Sequence, residues 1–353
     1  MRKTNKIAML YKPFDLRMEE RVIEDPHPGE IQIEIKCALT CGTDVKTYKR
    51  GYPFRQFPYS IGHEYSGIIV AVGEGVDLGL IGKRAVTSNG AGCQYCFYCK
   101  RDLDNLCEKK IVESNFDKFV QMGGGFANFI NVHAPIVKTN LKVFPESLTF
   151  EQAAMVEPIA VALHGINKAE IGIGDTVAIL GAGPIGLIMT QLAKYRGATV
   201  IVVEKNKFRL SEAGKKGSDI LINPDDVEDV ISAVKSKANG GRGPDKVMEA
   251  VGVPETWELA IEMVRKGGVV VEFGGCPAGT KISVDTKRLH YDELTIKGSY
   301  GATAYETDAS FELLLRGMIQ AKDYISGTYP LEKTKEALDS HMNGKGIKFE
   351  IKP

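Results

Sequence analysis

The chain lacks an excess of charge of either sign: 45 lysines and arginines stand against 45 aspartates and glutamates in 353 residues. With no surplus of cations to displace counterions, the electrostatic drive for general nucleic-acid or anionic-membrane binding is missing. Long apolar runs are missing too. The run Ile7 to Tyr11, after Arg2, Lys3 and Lys6, is too short for the core of a signal peptide, and no stretch approaches the ~20 apolar residues of a spanning helix. A soluble, cytoplasmic protein with neither membrane nor nucleic acid as partner is the expectation. No repeat of fixed period and no low-complexity segment occurs, which argues against solenoids. A composition of 43% hydrophobic and 25% charged residues excludes disordered and collagen-like classes. The seven cysteines are odd in number, and four of them fall between Cys93 and Cys107. That suits metal ligation in a reducing compartment better than a disulfide framework.

What the chain has in abundance is glycine, 38 residues, and a length that exceeds one ordinary hydrophobic core. The first third reads as short strands and turns. Gly29 to Cys37 alternates as E-I-Q-I-E-I-K-C after the glycine, and Tyr65 to Val72 is a β-branched run that stops at Gly73. From about Ala153 the texture changes to alternating strand, turn and helix. Buried strands are expected at Thr176–Leu180, Thr199–Val203, Asp219–Ile222, Lys246–Glu249, Val269–Phe273 and Leu294–Lys297, with amphipathic stretches between several of them. This alternation predicts an α/β fold, a doubly wound parallel sheet with helices on both faces. A helix over Ala309–Ile319 and a closing strand near Ile347–Ile351 follow.

Gly181, Gly183 and Gly186, with Pro184 and Ile185 between them, read G-A-G-P-I-G directly after the strand T-V-A-I-L and before a helical run. The glycines permit a tight turn, close approach of backbone amides to a pyrophosphate, and close packing of helix on strand. The strand V-I-V-V then delivers Glu204, twenty-three residues after Gly181, where a carboxylate can accept hydrogen bonds from ribose hydroxyls and repel a 2′-phosphate. NAD rather than NADP is the expected cofactor. Lys205, Lys207 and Arg209 argue the other way, and Arg209 is itself a candidate cofactor contact.

Cys93, Cys96, Cys99 and Cys107 are spaced C-x2-C-x2-C-x7-C. Four thiolates so close in sequence can close a tetrahedron around zinc, a structural site because no position is left for substrate. A bacterial iron–sulfur run would place its fourth cysteine after three residues and before a proline, and this one comes after seven and before Glu108. Cys41, His63, Glu64 and Glu157 are joined by no local spacing.

Their weight comes from resemblance. C-G-T-D at Cys41–Asp44, G-H-E at Gly62–Glu64, V-G-E-G-V at Val72–Val76, the four-cysteine lobe, G-G-F-A at Gly124–Ala127, E-P at Glu157–Pro158 and G-A-G-P-I-G together resemble the zinc-containing medium-chain alcohol dehydrogenases. The likeness covers the whole chain and is nearest to the polyol (sorbitol) and threonine dehydrogenase branch. It implies a β-rich GroES-like catalytic domain built from residues 1–154 and 300–353, with a structural zinc lobe at 90–110. A Rossmann coenzyme domain is then inserted at 155–299. It implies two zinc ions per chain: a catalytic one on Cys41, His63 and Glu157, with Glu64 as an alternate ligand, and a structural one on the four lobe cysteines. Glu157 stands where the polyol branch supplies a carboxylate and other members a cysteine. Thr43 resembles the family's proton-relay hydroxyl.

The implied activity is hydride transfer from a small-molecule secondary alcohol, a polyol, sugar alcohol, cyclitol or related metabolite, to NAD, giving a ketone. Zinc supplies the acidity the hydroxyl lacks. L-threonine 3-dehydrogenase is the nearest enzyme alternative, and a nucleotide-sensing, zinc-stabilised binding protein the non-enzymatic one. A homo-oligomer, dimer or tetramer, is implied by family habit. The chain departs from the pattern at Lys46, where many relatives carry a relay histidine, at Gln94 and Asp102, which replace lobe glycines, and at Lys83. Tyr48, Phe54 and Phe57 are candidates for either a substrate cleft or the core, whereas His164 reads as an interior histidine, Cys37 as a packed strand cysteine and Cys276 as a turn cysteine.

Overall fold

Alternation in the first third of the chain becomes two antiparallel sheets in the computed structural model, which describes residues 4–52, 55–111 and 123–353. Arg2, Lys3 and Phe54 lie outside the described residues. Strands β1 (Thr4–Lys12), β2 (Asp15–Val22) and β4 (Tyr59–Ser60) form the smaller sheet in the order β2-β1-β4. The larger one is built on β3 (Ile31–Leu39), with β5 (Glu64–Val72) and then β6 (Arg84–Val86) and β8 (Lys142–Val143) on one side, and β7 (Phe129–Val132) also paired to β3. Ile31, Ile33 and Ile35 all face the core, as period-two alternation requires, where Tyr65, Ile69 and Phe126 join them. The strand starts two residues later than expected because Gly29, at φ +81, turns the chain first. Helix α1 (Gly42–Arg50) follows β3, and α2 (Val156–Ala169) carries Glu157 on its first turn.

The glycine-punctuated middle segment forms a compact unit of its own. Residues up to Ala160 together with Gly301–Pro353 form one compact unit, and Val161–Tyr300 form the other. In the second unit β9 (Thr176–Leu180), β10 (Thr199–Val203), β11 (Ile220–Ile222), β12 (Lys246–Glu249), β13 (Val269–Glu272) and β14 (Thr295–Gly298) make a six-stranded sheet in the order β11-β10-β9-β12-β13-β14. Every pairing in it is parallel. All five residues of β9 are buried, which is why central strands of such a sheet read as continuous apolar runs. Helices α3 (Pro184–Tyr195) and α4 (Pro254–Met263) follow β9 and β12. The strand order reverses between β9 and β12, the place where open parallel sheets bind ligands beyond their carboxyl ends.

Helix α5 runs over Ala304–Leu315, about a turn earlier than its apolar periodicity predicts. The reason is its cap: Thr303 and Glu306 form a capping box that starts the helix, and Gly317 at φ +67 ends it. Strands β15 (Ile325–Pro330) and β16 (Lys348–Lys352) then extend the larger sheet of the first unit, with β16 antiparallel to β3 through Glu350↔Leu39 and Ile351↔Ala38. This pairing sets the last residues of the chain beside Thr40 and Cys41. Among the described residues no helix is long and apolar enough to cross a membrane.

Candidate catalytic and cofactor sites

Cys41 sits where β3 ends and α1 begins. It is the N-cap of α1: its sulfur accepts from the Thr43 amide at 3.5 Å, and its own amide donates to Asp44 Oδ2 at 3.0 Å. The other oxygen of Asp44 accepts from the Gly62 amide at 3.2 Å and meets His63 Nδ1 at 3.1 Å. Both His63 and Asp44 are only 2% exposed. Gly62 is required here, since it holds φ +91 and a Cβ on it would lie 2.7 Å from the Phe126 ring. With Nδ1 engaged by the Asp44 carboxylate, Nε2 of His63 is the ring nitrogen left to offer to a metal.

Glu64, one residue on, opens β5. Cys41 Sγ, a His63 ring nitrogen and a Glu64 carboxylate oxygen all lie within 4.8 Å of one another. From β16, Lys348 reaches in, its ammonium paired with Glu64 Oε2 and donating to the Thr40 carbonyl at 3.1 Å. Neither side chain of this pair is exposed at all, and among the described residues Glu64 Oε1 has no hydrogen-bond partner. Glu157 is buried, 5% exposed, and is not among the three donors grouped within 4.8 Å. It nevertheless feels the same charges. Burial pushes its carboxyl up to about 7, with His63 and Lys348 pulling against that and Glu64 adding to it. Burial likewise raises the Cys41 thiol and the Glu64 carboxyl, in each case against the pull of a neighbouring cation. A soft thiolate, an imidazole and carboxylates whose charges are under-compensated form a donor set that fits zinc. Thr43 lies in the first turn of α1 and half-buried Lys46 in the next.

The second cysteine group is local. The sulfurs of Cys93, Cys96, Cys99 and Cys107 all lie within 4.8 Å of one another. Backbone amides already point at two of them: Cys93 N–H at Cys107 sulfur, 3.3 Å, and Cys99 N–H at Cys96 sulfur, 3.5 Å. Burial opposes a charge on Cys96, but amide donors outweigh it and bring its thiol down to about 6. Gln94 and Asp102, the two residues in place of glycines, do adopt left-handed backbone at φ +73 and +56. Four clustered sulfurs, two of them already met by backbone amides, fit a structural zinc with no position left for substrate.

In the second unit, Gly181 turns the chain at φ +95, and a Cβ on Gly186 would come 1.9 Å from the Gly181 carbonyl oxygen. Gly183 has nothing within 4 Å of where its Cβ would be, so its backbone is open to a ligand. A cavity of about 350 Å³ begins there. Of the expected cofactor residues, Gly181, Gly183, Glu204 and Arg209 line it, whereas Pro184, Ile185 and Gly186 do not. The Glu204 carboxylate accepts from the Ala182 and Asn206 amides, both at 2.8 Å, which fixes it at the cavity edge. Lys205, Ala250, Val251 and Thr256 also line the cavity. The last three follow β12 and were open to prediction, because strand ends on both sides of the order reversal border the crevice.

Of the aromatic candidates, Tyr48 is buried in the core of the first unit, while Phe57 is 38% exposed and stacks on Tyr59. His164 is buried in α2, and Lys83 lies exposed in a turn.

Residues 184–316 match the zinc-binding dehydrogenase family, and residues 27–140 match the alcohol dehydrogenase GroES-like domain. The chain is 33% identical over 334 residues to D-arabitol-phosphate dehydrogenase of Enterococcus avium, covering 92% of this chain and 91% of that one. It is 30% identical over 346 residues to sorbitol dehydrogenase of Bacillus subtilis, covering 96% and 94%. A zinc-binding dehydrogenase of Sinorhizobium meliloti, solved bound to NADP, superposes with a TM-score of 0.89 at 27% identity over 99% of this chain and 100% of that one.

Proposed function

Since the chain belongs to the zinc-containing alcohol dehydrogenase family, we propose that it oxidises a secondary alcohol of a polyol or related sugar alcohol to a ketone, with NAD as acceptor. The observation that carries this reading is the buried group of Cys41, His63 and Glu64, brought together from two separate segments, with Glu157 electrostatically tied to it. When bound there, zinc supplies the Lewis acidity that lets an alcohol lose its proton near neutral pH, and the dinucleotide accepts the hydride.

The chain's own residues supply the rest. Asp44 fixes the His63 ring so that Nε2 faces the site. Cys41, His63 and Glu157 would hold the metal, and Glu64, paired with Lys348, would serve as an alternate ligand. The Thr43 hydroxyl is our candidate to receive the substrate proton, and Lys46, a turn further along α1, takes the place of an outer relay group. The lobe cysteines would hold the second zinc. In the cofactor unit, the open backbone at Gly183 and the N-terminus of α3 would meet the pyrophosphate. Glu204 favours ribose hydroxyls over a 2′-phosphate, so NAD is preferred although Lys205 and Arg209 share the cavity. Seven free thiols suit a cytoplasmic protein, and the unpaired edge of β14 suits a homo-oligomer.

The test is a panel of sorbitol, xylitol, arabitol, a pentitol phosphate, inositols and threonine, each with NAD and NADP, with and without chelator, alongside zinc analysis. Chelator-sensitive NAD reduction with one of the polyols and two zinc per chain are expected. Activity with threonine alone would move the substrate class, and fewer than two zinc with no activity on any alcohol would overturn the proposal.

A further inference from the structure

Two acids at the carboxyl edge of the parallel sheet belong to neither group of candidate zinc ligands and do not line the cofactor cavity. Glu249 ends β12 and Glu272 ends β13, opposite one another in parallel register, so their side chains leave the same face of the sheet about 5 Å apart at the backbone. They are 0% and 3% exposed. Glu249 Oε1 is saturated, accepting from the Val251 amide at 2.8 Å, the Gly252 amide at 2.9 Å and the Thr256 hydroxyl at 2.7 Å. Among the described residues its Oε2 has no hydrogen-bond partner, and neither has either oxygen of Glu272. The backbone just past Glu272 closes on that vacant oxygen: a Cβ on Gly274 would lie 2.6 Å from Glu249 Oε2 and 2.3 Å from the Gly252 nitrogen. Two adjacent buried carboxylates cannot both stay charged without a donor between them.

We infer that Glu272 is a carboxylic acid whose O–H donates to Glu249 Oε2, and that this shared proton makes Glu272 a positioning residue for the cofactor loop. One proton joins the two acids and supplies the donor that Glu249 lacks. The link to the cofactor is Glu249 Oε1, which holds the amides of the turn after β12, while Ala250, Val251 and Thr256 of that segment line the dinucleotide cavity. Burial first, and then the charge of Glu249, push the Glu272 carboxyl up to about 8. The other charged groups on the packed elements are Glu255, Glu258 and Glu262 of α4 and Lys297 of β14. Glu258 accepts from the Ser283 amide, Glu262 pairs with Arg288, and Lys297 is held by Glu170.

The sign follows from a folded-state pKa above the ordinary 4.5. The stabilisation is complete below the unfolded value and lost as pH rises through about 8, the folding equilibrium shifting about tenfold per unit between them. Above that, Glu249 Oε2 faces an anion and its grip on the loop loosens.

The experiment uses the full-length, zinc-loaded protein and its Glu272→Gln variant, whose amide donates permanently. Infrared spectra, thermal unfolding and NADH binding by fluorescence are followed from about pH 6 to about pH 9, a window that brackets the titration. A carboxylic-acid carbonyl band at neutral pH, absent from the variant, is expected to fade in the wild type near pH 8 while NADH binding weakens several-fold. The variant should keep its neutral-pH affinity at the alkaline end and lose less stability across the range. Absence of the band in wild type, or equal pH slopes in both proteins, would overturn the inference. Stabilisation by magnesium or calcium that Glu272→Gln abolishes would also overturn it, in favour of a cation site. Should the variant not fold, the wild-type band and its titration decide alone.

Discussion

Replacing Lys348 with methionine removes an ammonium while keeping most of the apolar stem. Lys348 and Glu64 are both wholly buried, and the ammonium also satisfies the Thr40 carbonyl. Breaking such a pair from one side costs about 3–5 kcal/mol because it strands a buried charge, and a carbonyl left without its donor adds about 1 kcal/mol. In the zinc-free protein the loss should therefore be about 4–6 kcal/mol, which at roughly 2–4 °C per kcal/mol is on the order of 10–20 °C in the unfolding of this unit. In the zinc-loaded protein the freed Glu64 has somewhere to go, because its carboxylate lies in the same 4.8 Å group as Cys41 and His63. A divalent cation there replaces the lost ammonium, and the cost should fall to about 1–3 kcal/mol, leaving the stranded carbonyl and imperfect packing. The difference of about 3 kcal/mol must reappear, by reciprocity of linked equilibria, as roughly 100-fold tighter zinc retention. Calorimetry with chelator and with zinc, and zinc competition with a chromophoric chelator, measure the two sides of this cycle. Equal destabilisation in both states, or weaker zinc retention, would refute the role of Lys348 as the group that restrains Glu64.

Cys99→Ser should release the lobe zinc and destabilise the first unit, whereas Cys41→Ser should stay folded and lose the other zinc with activity; zinc content, circular dichroism and turnover separate the two. Glu204→Ser removes the carboxylate at the cavity edge and should shift the NAD over NADP preference by about 10–100-fold towards NADP, read as the ratio of kcat/KM values, since a charged hydrogen-bonding group is worth about 1.5–3 kcal/mol. Gly186→Ala drives a Cβ to within 1.9 Å of a backbone oxygen that cannot yield cheaply, so NADH binding should weaken at least tenfold and the cofactor unit lose about 1–3 kcal/mol.

How much of this was legible in the sequence depends on how local each cause is. The six parallel strands are buried apolar runs bounded by turns, and each was expected within a residue of where it lies. Apolar period alone places helix α5 about a turn too late, because the helix obeys its cap at Thr303 and Glu306. The cysteine lobe was legible because its four sulfurs and the amides supporting them come from one short segment. Asp44 could have been found: C-x-x-D before a helix has the spacing of a capping box, and that box is what presents Cys41. Lys348 could not. It sits in K-F-E-I-K, a stretch in which a lysine reads as solvent-facing, and only the pairing of β16 with β3, across 308 residues, buries it beside Thr40.

The two groups of buried acids differ for the same electrostatic reason. Around Cys41, His63 and Glu64 the potential anions are Cys41, Asp44, Glu64 and Glu157, and Lys348 is the ammonium that pulls against burial at the Cys41 thiol and both glutamates. A single ammonium and a shared histidine proton leave more negative charge than a low-dielectric interior tolerates, and burial raises the Cys41 thiol and both glutamates accordingly. A thiolate and an imidazole within reach make that deficit one a soft divalent ion can fill. Between Glu249 and Glu272 the deficit is a single charge, among the described residues neither sulfur nor imidazole is grouped with them, and Oε1 of Glu249 is already saturated by three donors. One proton closes it. Counting the donors available to each buried acid, rather than the acids themselves, separates a site built for a metal from a pair built around a proton.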